Sequence, residues 1–208
     1  MSARYLAPSM VGYGAGDGTA TMRALYATLS QLGYHVLAPD DLGLGLSDAA
    51  HQAYMLHDDV AAVALSMLRA VRCELLASGV AVGRQLHAMG GSHGGYETAA
   101  IQRRVQAEAG WLGVGIVGSF MHAPPLDASG TMLDLLTADR PFSHPWYISA
   151  MAASYSSHRP DALPFVFRDH VLPAFAPAFD RIGDATSHEL NAYWFAQNTS
   201  VPLAAFDP

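Results

Sequence analysis

Lysine is absent from the 208 residues, and all eleven basic side chains are arginine. Schiff-base chemistry, a Ser-Lys dyad and a phosphate-binding loop lysine are therefore excluded. Cysteine is nearly absent as well. Cys73 alone cannot close an internal disulfide, and its place inside an apolar helical pattern reads as packing. Positive charge is scarce: the formal net charge is −7 and Arg103-Arg104 is the only adjacent basic pair. Nucleic-acid binding thus lacks its electrostatic footprint. No uninterrupted apolar run reaches membrane-spanning length, so no membrane span is expected. Met1-Ser2-Ala3-Arg4 is not followed by the apolar stretch of a secretory signal, which leaves either a cytoplasmic chain or one whose export signal lies outside this sequence. The ten histidines are scattered, with no H-E-x-x-H pattern and no cysteine cluster; His188-Glu189 lacks a second histidine. Neither a metal nor a cofactor is expected.

About half of the residues are apolar (51%) and few are charged (14%), a composition that buries one sizeable core. A single domain spanning 1–208 is predicted, with core sheet and helices in 1–125 and a mostly helical cap in 126–208. Residues 21–32 space Met22, Leu25, Tyr26 and Leu29 along one helical face, and 54–77 carry apolar residues at three- and four-residue steps. Residues 34–40 (YHVLAPD), 85–89 and 112–121 (LGVGIVGSFM) read as buried strands. Strands alternating with helices predict a parallel α/β sheet with right-handed crossovers. Beyond Leu126, helical stretches around 132–138, 146–155 and 189–197 are separated by prolines, and no run reads as another core strand.

The richest local signal is Gly90-Gly91-Ser92-His93-Gly94. It fits G-x-S-x-G, a serine held on a sharp turn between a strand and a helix. The context agrees: an apolar run precedes it, and 96–107 (YETAAIQRRVQA) follows with helical spacing. A serine hydroxyl is a weak nucleophile, so it must stand where a base can reach it and where backbone N–H groups face the developing oxyanion. Ser92 is the candidate nucleophile, and the backbone N–H of His93 the candidate oxyanion donor. The His93 imidazole, on the same turn, reads as a local partner rather than a base. Gly90 and Gly94 supply the side-chain-free positions that such a turn crowds. The bland alternative is a glycine-rich strand-to-helix turn of any α/β protein.

Residues 34–136 resemble the middle of an α/β-hydrolase, nearest to the secretory lipases and related esterases of bacteria and fungi. The resemblance rests on YHVLAPDDLGLGLSD before the long helix, MGGSHGGYETA at the turn, and GSFMHAPPLDASGTMLDLL after the next strand. It implies an incomplete three-layer α/β-hydrolase-like sheet and hydrolysis of a small-molecule or lipid ester through an acyl-enzyme on Ser92. It also implies a histidine-glycine turn upstream and an acid and a base downstream on later strands, none of which this chain matches. Both ends of the fold are therefore expected to be missing. In this fold the absent strand would lie between 34–40 and 85–89, so its loss leaves a gap in the sheet.

His144, His158, His170 and His188 follow Ser92, with Asp161, Asp169, Asp180 and Asp184 near them, but none lies at the end of a predicted strand. The catalytic acid and base are not identifiable from the sequence, and without them the chain is expected to be nearly inactive as a fragment. Two other readings remain. One is a non-catalytic, hydrolase-like binding protein using its aromatic-rich C-terminal part. The other is a dinucleotide-binding domain, suggested by Gly12, Gly14, Gly16 and Gly18 but weakened by Asp17, which occupies the place of the third glycine in G-x-G-x-x-G.

Overall fold

The computed structural model describes residues 17–47, 49, 51–108, 113–137, 140–162, 167–182, 187–199 and 201–206. The glycine-rich loop before Asp17 lies outside them. The chain divides into two compact units: one comprises residues 35–39 and 55–126, the other the described parts of 1–34, 40–54 and 127–208.

The first unit carries the sheet. Helix α2 (His57–Ala77) opens with Asp58 and Asp59, whose carboxylates favour the positive helix N-terminus. It closes at Gly79, whose φ of +75° allows the N–H groups of Gly79 and Val80 to reach back to the carbonyls of Leu76 and Leu75. Strand β1 (Gln85–Gly91), helix α3 (His93–Ala107) and strand β2 (Gly115–His122) complete the unit. The two strands run parallel with Gln85 opposite Gly115 and Gly91 opposite His122, the register slipping once between Leu86 and His87. Helix α3 packs on both strands and against α2. Leu65 and Leu68 from α2, Val105 from α3 and Val114 form the core, flanked by Leu37, Leu86, Ile101 and Ile116. Leu68→Ala is expected to destabilise this unit by about 2–5 kcal/mol, measured as a lowered urea midpoint, because the surrounding helices cannot close the cavity. Met89, Val117 and Phe120, by contrast, stay exposed on the strands.

The sheet is parallel and α/β, as predicted, but one expected strand does not form. Residues 34–40 join no ladder and form no regular element; Leu37 packs against the core cluster, and Tyr34 is half exposed. A strand exists by pairing, and among the described residues no third strand lies beside this segment. Pro39, lacking an N–H, weakens it further as a ladder member.

The second unit is helical. It contains α1 (Asp17–Gln31), α4 (Ala128–Thr137), α5 (Trp146–His158), α6 (Ala176–Asp180) and α7 (Ser187–Phe195). Asp127 caps α4, its Oδ1 accepting the Gly130 N–H at 2.9 Å. Ile148 and Ala152 of α5, Ala178 and Phe179 of α6 and Trp194 of α7 meet Val171, Phe175 and Ala205 in one cluster. Trp194 is fully buried against Phe175, ring centroids 5.0 Å apart. A single antiparallel bridge joins Val171 to Phe206. A second aromatic group, Tyr54 with Trp146 and Tyr147, sits at the start of α5. Burial, and to a lesser degree the neighbouring Tyr147 phenol, push the Tyr54 phenol well above its ordinary value. The folded state thus prefers the neutral phenol, so this contribution to stability is present at neutral pH and declines as pH rises above about 10, where the unfolded chain ionises first. Tyr54→Phe is expected to retain more of its neutral-pH stability under alkali, as read from urea midpoints across that range. Among the described residues, no helix is long and apolar enough to cross a membrane.

Candidate active site

Strand β1 ends at Gly91 and α3 begins at His93, leaving one residue to make the turn. That residue, Ser92, has φ +53° and ψ −119°, in the left-handed half of conformational space that costs a side-chain-bearing residue roughly 1–3 kcal/mol. Its backbone is over-determined. The Ser92 N–H donates to the carbonyl of His122 at 2.8 Å, while its own carbonyl accepts from the N–H groups of Gly95 and Tyr96 at 3.0 and 3.1 Å. The residue is exposed at the carboxyl edge of the parallel pair, and its side chain makes no capping bond to the helix it precedes.

The glycines divide the crowding differently from the sequence reading. A Cβ on Gly90 would run into the backbone carbonyl of Gly94, so Gly90 must lack a side chain. A Cβ on Gly94 would meet nothing within 4 Å; what the turn needs at 94 is the carbonyl, not the missing side chain. The second crowded position is Gly95, where a Cβ would lie 3.0 Å from Pro124 Cβ and 3.3 Å from the Gly90 carbonyl oxygen. The turn is therefore wedged between its own strand and the segment that leaves β2.

At the start of α3, the N–H groups of His93 and Gly94 are among the donors that a helix leaves without an intrahelical acceptor, and the helix dipole adds partial positive charge there. This is the electrostatic setting that an oxyanion beside Ser92 requires. The His93 ring is occupied: Nε2 lies 3.0 Å from Glu97 Oε1, one helical turn on, and the ring stacks on Tyr96. The Tyr96 hydroxyl donates to the Met55 carbonyl at 2.9 Å and the buried Thr98 hydroxyl to the Gly94 carbonyl at 2.8 Å, fixing the first turns of α3.

His144, His158, His170 and His188 all belong to the helical unit. His144 Nδ1 is 2.7 Å from Ser143 Oγ and its ring stacks on Tyr147; His158 Nε2 is 2.8 Å from the His51 carbonyl oxygen. His170 ends a short 3-10 turn, and His188 lies in α7. Asp161, Asp169 and Asp180 are exposed, and Asp184 lies outside the described residues. Of the C-terminal aromatics, Phe175, Phe179 and Trp194 are buried core. Two residues at the turn escaped the sequence reading. Gly95 was hidden because G-x-S-x-G ends one position short of it. His122 was signalled only as the polar end of an apolar run: parallel strands finish together, so the last residue of β2 stands beside the turn that follows β1.

A parallel strand pair with a strained serine between strand and crossover helix belongs to the α/β-hydrolase-like class of folds. No family model and no curated protein sequence matches the chain. Solved structures do. A Legionella pneumophila protein designated a hydrolase superposes with a TM-score of 0.71 at 20% identity, over 92% of this chain and 50% of that one. A variant of the rice cell wall degrading esterase LipA from Xanthomonas oryzae gives 0.69 at 20% identity, over 93% and 53% respectively. A ligand-bound form of LipA gives 0.61 at 19% identity, over 81% and 44%. At such identities the likeness is one of fold: the chain shares the α/β fold of these structures over the part it covers, with an incomplete sheet and a helical C-terminal part. It spans about half the length of the structures it matches.

Proposed function

We propose that this chain carries the nucleophile of a serine hydrolase acting on carboxylic esters, with Ser92 as the attacking residue. The observation that carries the reading is the conformation of Ser92: a non-glycine at φ +53°, exposed at the carboxyl edge of the sheet and held there by three backbone hydrogen bonds. Strain of this kind persists where surrounding structure imposes it, and it clusters at reactive sites. The chemistry follows from the placement. Ser92 Oγ attacks the ester carbonyl carbon and gives up its proton. The His93 N–H, on the positive end of α3, faces the negative charge that develops on the carbonyl oxygen. The alcohol departs with a proton, leaving an acyl-Ser92 ester, and water then releases the acid. Small-molecule and lipid esters share this chemistry.

Treatment of the full chain with a fluorophosphonate tests the reading, since that reagent phosphonylates activated serines. We expect a single adduct on the peptide that contains Ser92, absent in Ser92→Ala. A protein that stays unmodified, with the fold intact by circular dichroism, would mean a hydrolase-like binding protein without a live nucleophile.

A further inference from the structure

We propose that Tyr96 is a positioning residue for this site: it holds the first turn of α3, and with it the His93 N–H, in the orientation an oxyanion needs. The inference rests on the esterase reading of Ser92. Three contacts carry it. The Tyr96 N–H donates to the Ser92 carbonyl at 3.1 Å, its ring stacks on the His93 ring with centroids 6.0 Å apart and planes 16° from parallel, and its hydroxyl donates to the Met55 carbonyl at 2.9 Å. One residue thus joins the backbone of the nucleophile, the ring beside the oxyanion donor and a segment 41 residues upstream.

Met55 is a fixed point. It is buried, and its φ of +61° makes it another non-glycine in the left-handed region. A side-chain-bearing residue stays in that region only where its surroundings impose it. The α2 ladder begins at the Leu56 carbonyl, which accepts the N–H groups of Asp59 and Val60, each at 3.1 Å. The Met55 carbonyl lies one residue ahead of that ladder, and there it receives the Tyr96 hydroxyl. Just beyond, Val60 and Ala61 of α2 form a small buried cluster with Ala100 of α3, which follows Tyr96 by one helical turn on the same face. The N-terminal end of α3 is therefore bound to that of α2 by a hydrogen bond and by apolar packing.

The demands of an oxyanion donor explain why such an anchor matters here. A donor is effective when it already stands about 2.7–3.1 Å from where the negative charge develops, so that nothing need reorganise during the reaction. A backbone N–H cannot be aimed by a rotamer; the direction of the His93 N–H is that of the first turn of α3. The Ser92 carbonyl and the Tyr96 N–H close that turn from within, and the Tyr96 hydroxyl ties it to a point outside α3. Without the tie, the turn keeps its helical bonds but loses its external reference. Tyr96 itself meets no reacting atom. Its loss should therefore slow the step without weakening the binding of the reagent that precedes it.

The test is saturation kinetics of fluorophosphonate adduct formation on the full chain, which separates the limiting rate from the half-saturating reagent concentration. Tyr96→Phe keeps the ring beside His93 and removes the hydroxyl. We expect its limiting rate to fall about tenfold, short of the loss of about 10²–10³-fold when an oxyanion donor is removed outright, with the half-saturating concentration unchanged. Para-aminophenylalanine at position 96, which retains a donor, should restore the rate. Leu68→Ala loosens the same unit away from the turn and, while folded, should react at the wild-type limiting rate. Tyr96→Phe reacting like the wild type overturns the proposal. So does a fall that Leu68→Ala matches, or one that the amino group does not reverse, since lost stability or the ring alone then accounts for it. Should Tyr96→Phe fail to fold, the aminophenylalanine protein decides: a limiting rate near the wild type supports the tie, and a fall of about tenfold overturns it. In all these cases labelling of Ser92 leaves the esterase reading standing. Wild-type protein that never reacts at Ser92 removes both.

Discussion

Ser92→Ala is expected to lower kcat/KM for p-nitrophenyl acetate by about 10⁴–10⁶-fold, the usual loss when an acyl-accepting nucleophile is removed. At 1.36 kcal/mol per tenfold, this is about 5–8 kcal/mol of transition-state stabilisation. The effect should be confined to catalysis. The three hydrogen bonds that fix residue 92 all run through its backbone, and the hydroxyl makes no capping bond to α3. Stability should therefore barely change in Ser92→Ala, since alanine suffers the same left-handed conformation. Ser92→Gly separates the two properties further. Glycine adopts positive φ without steric cost, so this variant should be more stable by about 1 kcal/mol while equally inactive. A stabilised, inactive Ser92→Gly is the signature of strain kept for function. Urea titration of the three proteins alongside ester turnover checks it. An Ser92→Ala protein that keeps the wild-type rate would end the case for Ser92 as nucleophile.

Gly90→Ala and Gly94→Ala should part company, although a motif reading treats the two glycines as equivalent. At position 90, the new methyl group would collide with the Gly94 carbonyl, and neither backbone can give way without displacing the turn. The expected cost is about 1–3 kcal/mol from overpacking. Displacing the nucleophile by even 1 Å should cost about 100-fold in ester hydrolysis in addition. At position 94, the methyl group enters open space on the first turn of α3. There, alanine should be neutral or stabilising by up to about 1 kcal/mol through its better helix propensity. Melting temperature and kcat/KM for both variants decide the matter. Equal damage from the two substitutions would mean that the turn is packed differently from the geometry described above.

The contrast between these glycines shows what a one-dimensional pattern can carry. G-x-S-x-G encodes the need for a tight strand-to-helix turn, and local rules sufficed to place it: an apolar run before, a helical period after, and a small residue where the backbone doubles back. The ends of α2 were legible for the same reason, since Asp58, Asp59 and Gly79 act on the backbone within one turn of themselves. Gly95 was not legible, because the atom that crowds it belongs to Pro124, nearly thirty residues away and brought close only by the pairing of β1 with β2. His122 was silent for the same reason. Its relation to Ser92 is a register, which no neighbouring residue encodes.

Residues 34–40 mark the other boundary. Their apolar run satisfies every local criterion for a strand, yet a strand is defined by a neighbour, and among the described residues that neighbour is not there. Composition, periodicity and turn chemistry act over a few residues, and they were enough to specify a parallel α/β arrangement, the serine at its sharp turn and the helical character of the C-terminal part. Which strands pair, which glycines are crowded and which histidine ends beside that serine depend on contacts between distant segments. Those contacts arise only when the chain has closed on itself, so tertiary packing alone decided them.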